Sequence, residues 1–272
     1  MKKIAVIQDI SGLGRCSLGA ALPVISAMGV HALPVPTAIY TNQTGFSRFA
    51  VLGCESLLSE YPSAWNEIGV QLDGMLTGFM GTHEQIAAAQ AMIDAFRRPE
   101  TMLLIDPVMG DNGQRYPIFD EDFCRAIGDF ARQAHVITPN VTELCLLANK
   151  DPMTFLRAPP DEQKAMLHSM CATLPQPIII VTGWKIGDLV LNAAWQHSKL
   201  DTYSTTAVAG SYSGTGDLFA ACVAAGLVRG NTLQQCITRA AKFLHAALTE
   251  AAQQNLPPKH GVPFENHLEE LL

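Results

Sequence analysis

Ser213-Gly214-Thr215-Gly216-Asp217 stands directly before an apolar stretch, Leu218 to Val228. Glycine lets the backbone turn sharply and lets its amides approach a ligand closely. At a helix start, the amides of Gly214, Thr215 and Gly216 would converge at the positive end of the dipole and form a hole for anionic oxygen. Asp217 in the first turn could take a proton from an attacking hydroxyl. The same letters also suit a plain helix start, because Asp caps helices well. Two further segments weigh toward chemistry. Asp106-Pro107-Val108-Met109-Gly110-Asp111 closes one buried, strand-like run, and Thr138-Pro139-Asn140-Val141-Thr142-Glu143 closes the next. Each supplies hard oxygen ligands of the kind Mg²⁺ takes together with water and nucleotide phosphates. With Asp217 they make a phosphoryl-transfer set of base, anion hole and metal shell.

Those residues need a scaffold that brings them together. Short apolar runs predict strands at Lys3–Gln8, Val30–Val35, near Met75-Leu76, Met102–Asp106, His135–Thr138 and Ile178–Thr182. Longer periodic stretches predict helices at Cys16–Met28, Glu55–Ile68, His83–Arg98, Glu121–Arg132, Thr142–Ala148, Leu218–Val228 and Leu233–Gln253. Leu189–Trp195 and Lys199–Thr205 read as a hairpin, and Arg157–Pro160 as a loop. Strands alternating with helices predict a three-layer α/β/α fold with a central, mostly parallel sheet, in a single domain over residues 1–272. In such sheets ligands sit beyond the carboxyl ends of the strands. Asp9, Asp106, Thr138 and Thr182 all fall there.

Several alternatives fail on particular residues. Gly12-Leu13-Gly14 lacks the third glycine of a dinucleotide fingerprint, since Ser17 stands in its place, and no acid occurs between Asp9 and Glu55. No Gly-Lys pair exists for a P-loop, His83-Glu84 lacks the second histidine of a zinc protease, and no Gly-x-Ser-x-Gly elbow appears. The 272 residues are 48% hydrophobic and 16% charged, a globular composition, with net charge −7 and no basic stripe for nucleic acid. The seven cysteines show no CxxC spacing, which predicts reduced, buried thiols. The longest apolar stretch is shorter than the ~18 residues of a membrane span, and the amino-terminal run is too short for a signal peptide. A cytoplasmic protein with no membrane partner is the expectation.

These motifs, in this order, resemble the ribokinase-like superfamily and its vitamin kinases over nearly the whole chain. Gly214-Thr215-Gly216-Asp217 is similar to the superfamily signature. Thr41-Asn42-Gln43-Thr44-Gly45-Phe46 is similar to a block of the pyridoxal kinases. Asp9-Ile10-Ser11-Gly12-Leu13-Gly14 with Ser26-Ala27-Met28-Gly29 is closer to hydroxymethylpyrimidine kinases. The resemblance implies an ATP-dependent kinase acting on the hydroxymethyl group of a B6 vitamer, with a hydroxymethylpyrimidine kinase of thiamin biosynthesis as the rival. A non-catalytic B6-binding protein on the same fold is a third reading, which the intact base and anion hole oppose. Residue by residue, the resemblance implies Asp217 as base and Gly214 to Gly216 as anion hole. Asp106 and Glu143 would organise Mg²⁺ mainly through water, with Asp111 assisting. Asn140 and Thr182 would meet ATP phosphates, with Thr138 and Asp106 in the same nucleotide-binding set. Asp9 and Thr44 would hydrogen-bond the ring substituents and Phe79 would pack on the ring. The family's pattern has Ser at Asp9, commonly Tyr at Phe79, and His at Gln43; an acid at position 9 leans toward an amine such as pyridoxamine. A homodimer is implied, a K⁺ requirement is left open, and Gly110–Tyr116 is expected to form a flap over ATP.

Overall fold

The computed structural model describes every residue from Met1 to Leu272. Its strands are β1 (Lys3–Ser11), β2 (His31–Tyr40), β3 (Val51–Gly53), β4 (Gly74–Thr77), β5 (Met102–Ile105), β6 (Gly110–Asp111), β7 (Gln114–Arg115), β8 (Val136–Ile137), β9 (Ile178–Ile186), β10 (Leu189–Gln196) and β11 (Lys199–Thr206). The helices are α1 (Ser17–Ala27), α2 (Glu55–Leu58), α3 (Tyr61–Glu67), α4 (His83–Phe96), α5 (Glu121–Ala131), α6 (Val141–Leu147), α7 (Pro152–Arg157), α8 (Pro160–Thr173), α9 (Thr215–Val228) and α10 (Leu233–Gln253). A tail with two short 3-10 turns follows, at Pro258–His260 and Phe264–Leu271.

Nine strands form one sheet in the order β11-β10-β9-β8-β5-β4-β1-β2-β3. From β2 to β9 all neighbours are parallel. β3 at one edge and β10 and β11 at the other are antiparallel. Parallel strands are buried on both faces, so their residues are apolar without interruption and are sorted only by alternation. Ile4, Val6, Leu76, Leu104, Val136 and Ile180 pack beneath α1, α9 and α10. Ala5, Ile7, Met75, Leu103, Ile137 and Ile179 pack on the other side, against residues such as Met92, Phe130, Leu144 and Leu167 of α4, α5, α6 and α8. All seven cysteines are free and buried. No helix is long and apolar enough to cross a membrane.

Three local expectations change. The helix predicted over Glu55–Ile68 is two, α2 and α3, broken at Ser59-Glu60. Pro62 in the first turn of α3 suits a helix start, where its missing N–H costs nothing, and not an interior. The same logic places α8 directly on Pro160, so the Pro-rich loop is shorter than expected and leads into a helix. The flap segment holds a small hairpin, β6–β7, turning at Asn112-Gly113. Both turn residues have positive φ, 53° and 83°, as a tight two-residue hairpin turn requires.

The chain leaves β1 toward β2 on one side and returns to β4 on the other. Between β1 and β4 the order reverses, and the carboxyl ends there diverge into a crevice. Phe79, Asp106 and Thr138 lie just past the ends of β4, β5 and β8 along this rim, and Asp9 lies two residues before the end of β1. β9 runs on to Ile186, so Thr182, expected at its end, lies mid-strand, where β9 has outrun β8.

Candidate active site

A cleft of about 740 Å³ runs along the rim. Every residue singled out from the sequence lines it: Asp9, Thr44, Phe79, Asp106, Asp111, Thr138, Asn140, Glu143, Thr182, Gly214, Thr215, Gly216 and Asp217. A shallower hollow of about 330 Å³, at Asp161, Lys164 and His168 beside Leu200, lies elsewhere and shares none of them.

The glycine turn is built for close approach. Gly214 has φ 81°, in the left-handed region, and caps α9. A side chain there would collide with the backbone of Arg15 and Cys16 at the entrance to α1. The amino ends of α1 and α9 therefore meet at one point. The Gly214, Thr215 and Gly216 amides donate to no other backbone group, so they stay free for an anionic ligand. Asp217 sits in the first turn of α9, hemmed in by protein yet partly open to the cleft. Burial pushes its carboxyl up to about 7, the Ser17 backbone N–H pulls the other way, and Asp106 and Asp9 add smaller upward pushes. Ser17 opens α1 with φ 51°, an unusual backbone for a side-chain-bearing residue. That twist is how its amide comes to face Asp217.

A second group of acids lies opposite. Asp106 takes a 2.8 Å hydrogen bond from the Thr138 hydroxyl on one oxygen. Its other oxygen, Oδ2, lies 3.8 Å from where a Gly216 side chain would begin. Glu143 is 4% exposed. One of its oxygens accepts the Met109 N–H at 3.0 Å and the other the Asn140 N–H at 2.9 Å. The second bond belongs to a capping box, in which Asn140 Oδ1 accepts the Glu143 N–H at 3.0 Å. Asn140 Nδ2 reaches the Gly110 carbonyl at 2.8 Å, and Asn140 forms an isolated parallel bridge to Thr182 of β9. Burial raises Asp106 to about 7 and raises Glu143 well above its usual range, the latter also repelled by Asp106. Two dehydrated carboxylates with hard oxygens and no lysine or arginine beside them suit Mg²⁺. No three acidic, histidine or cysteine side chains converge to hold an ion unaided. With both Glu143 oxygens occupied, contact would run through water, with Asp106 Oδ2 the freer ligand. Asp111, at the flap, hydrogen-bonds Asn112 instead.

At the β1–β4 crevice, Asp9 is 3% exposed and accepts the Ser11 hydroxyl at 3.1 Å. Its Oδ1 is buried without a partner. Phe79 is half-buried, edge-on to Tyr40 and tilted against Phe119, with centroids 6.1 and 5.7 Å away. Thr44 is half-buried on the loop after β2. Gln43 ties that loop to the glycine turn: Nε2 reaches the Ser213 hydroxyl at 3.3 Å and the Lys259 carbonyl at 3.2 Å. At the far end the walls are apolar, with Val190, Val208, Leu244 and Leu248.

Sequence reasoning missed Ser17, Gln43's bridging role and the apolar wall. Leu244 and Leu248 lie four apart on α10, a spacing identical to that of core residues. No one-dimensional signal marks Ser17, because its role comes from a backbone twist.

A sheet edge with this acid-and-glycine arrangement is the ribokinase-like kinase architecture, and comparison with known proteins agrees. Residues 17–262 match the phosphomethylpyrimidine kinase family, and the chain belongs to it. Among particular relatives, a Bacillus subtilis pyridoxine kinase is 25% identical over 96% of each chain. A Schizosaccharomyces pombe protein described as a pyridoxal kinase is 27% identical; the match covers 68% of this chain and 56% of the relative. A Bacteroides thetaiotaomicron structure, described as a phosphomethylpyrimidine kinase and crystallised with pyridoxal, superposes with a TM-score of 0.91. It is 28% identical, and the match covers 99% of this chain and 95% of that one.

Proposed function

We propose that this chain, as one kinase unit over residues 1–272, transfers the γ-phosphoryl group of ATP to the 5′-hydroxymethyl group of a B6 vitamer, a salvage reaction leading to pyridoxal phosphate. The observation that carries the reading is Asp217, a carboxylate of raised pKa in the first turn of α9, beside free amides and facing Asp106. The alcohol oxygen forms a bond to phosphorus as the β–γ bridging bond breaks and ADP leaves with the electron pair. The alcohol proton passes to Asp217. The amides of Gly214 to Gly216 hold the phosphoryl oxygens during transfer. Mg²⁺, when bound, would neutralise phosphate charge; Asp106 would hold it, and Glu143 and Asp111 would orient its waters. Asn140, Thr138 and Thr182 face the phosphates, while Val208, Leu244 and Leu248 sheath the base. Asp9, Thr44 and Phe79 hold the ring. The curated B6-kinase relatives and the pyridoxal in the Bacteroides crystal support this choice.

The family model and the Asp9-to-Gly14 turn favour a second reading, a hydroxymethylpyrimidine kinase. ADP release measured with pyridoxal, pyridoxamine, pyridoxine and the pyrimidine alcohol decides between them: we expect the highest kcat/KM on a B6 vitamer, and a higher value on the pyrimidine would reverse the order. A homodimer in the cytoplasm completes the proposal. The sheet edge at β3 supports self-association, with Val51 and Leu52 53% and 66% exposed.

A further inference from the structure

β10 carries a polar side chain into the cleft that the reading above leaves unused. Asn192 is 6% exposed and lines the cleft wall. Alternation along β10 sets its face. Ala194 packs with residues of α9 and α10, whereas Leu191, Ala193 and Trp195 pack on the opposite side of the sheet. Asn192 shares the face of Ala194 and Val190, which also lines the cleft.

The ladder is irregular at this point. Leu191 pairs with Trp184 and Ala193 with Val181, so Asn192 alone stands opposite both Thr182 and Gly183. Gly183 takes up the extra residue with φ 68°. A bulge of this kind re-aims side chains, and bulges recur beside binding sites. A buried amide ordinarily spends its donors and its acceptor inside the protein. The side chain of Asn192 makes no hydrogen bond with any protein group, yet neither of its polar atoms is sealed away from the cleft. Nearby Thr205 has already spent its hydroxyl on the Val190 carbonyl, at 3.4 Å.

Position indicates what the free amide meets. Thr182, directly across from it, is bridged to Asn140 on the side assigned above to the phosphates. Val190, two residues along β10, belongs with Leu244 and Leu248 to the apolar end assigned to the base. In a nucleotide the ribose lies between those two parts. Its neighbouring hydroxyls each donate and accept, as the amide does, whereas phosphate oxygens only accept.

We propose that Asn192 reads the sugar of the nucleotide: its side-chain amide hydrogen-bonds the ribose hydroxyls and makes the cleft selective for ribonucleotides over their deoxy counterparts. This rests on the nucleotide-binding half of the function proposed above and adds a specificity-determining residue to it. A site built to pair with a hydroxyl rejects the analogue that lacks it, because its own polar group is then left unpaired.

The test measures binding of ADP and of 2′,3′-dideoxy-ADP, by calorimetry with Mg²⁺ present, to the intact protein and to Asn192→Leu, which keeps the volume and removes the hydrogen bonds. We expect the wild type to hold ADP about tenfold or more tighter than the dideoxy nucleotide. In Asn192→Leu the gap should close to within about threefold, because ADP weakens while the dideoxy nucleotide keeps its affinity. Should the leucine variant fail to fold, as its melting curve would show, Asn192→Ala goes through the same comparison. Equal wild-type affinities for the two nucleotides would overturn the inference. So would a gap that survives the substitution, the result expected if Asn192 met a phosphate or only supported the strand. Binding is read without phosphoryl transfer, so the two readings fail separately. A gap that closes in the variant, in a protein that phosphorylates no B6 vitamer or pyrimidine alcohol, would sink the acceptor assignment and leave Asn192 as the sugar reader. No ADP binding at all would sink both.

Discussion

Asp217 illustrates how a position sets a reactivity. Its carboxyl is raised to about 7, chiefly by burial. The proton-accepting form exists above that value. Turnover should therefore fall about tenfold per pH unit below it and level off above it, as a pH profile of kcat would record. Asp217→Asn removes the acceptor altogether and is expected to lower kcat by about 10²–10⁴ while nucleotide binding by calorimetry persists. A near-normal rate would rule out the aspartate as base. Gly214→Ala acts by a different cause. It forces a side chain into a left-handed backbone, at a cost of about 1–2 kcal/mol, and into the Arg15 carbonyl as well. Both the melting temperature and kcat should drop.

Among the elements, α6 and the β6–β7 hairpin act as a pair. Glu143 closes the first turn of α6 and fastens Met109 just ahead of the hairpin, while the Thr142 hydroxyl accepts the Gly113 N–H at 2.9 Å. Thr142→Val cuts the hairpin's tether without touching Glu143. Hydrogen exchange across residues 110–116 should then speed up in the free protein, and unchanged protection would argue against a hinged flap. The central elements were legible because burial on both sheet faces writes strands such as Met102–Ile105 as unbroken apolar runs. The segments that line the cleft were legible for a related reason: glycine, proline and acids stand close to where those runs end. β3 escaped because three exposed edge residues carry no periodicity. The hairpin was readable in principle from Asn112-Gly113, but its strands are only two residues each. α8 was hidden by Pro159-Pro160, which resembles a loop until the second proline is seen as a first-turn residue.

Across the whole molecule, stability and activity share supports far from the chemistry. His135 accepts the Leu103 N–H on Nδ1 at 3.0 Å, pinning β5 near its start. Burial, then Arg97, holds its pKa below the usual 6.5. The folded chain thus binds that proton more weakly than the unfolded chain. The contribution is intact above pH 6.5 and is lost as pH falls through and below it. His135→Asn should flatten the acid side of a stability-against-pH curve, provided the asparagine still accepts from Leu103.

The tail after α10 clasps the glycine turn before α9 from behind. The Ser213 N–H donates to the Pro258 carbonyl, the Arg15 N–H to that of His260, and the Arg15 side chain grips Glu265. Phe264 and Leu271 anchor the tail in the core, whereas Leu272 is 86% exposed. For anyone handling the protein, this makes the stretch from Asn255 to Leu271 part of the working body. Trimming back to Gln254 should slacken the splint behind the glycine cradle and silence the enzyme even where the sheet still folds.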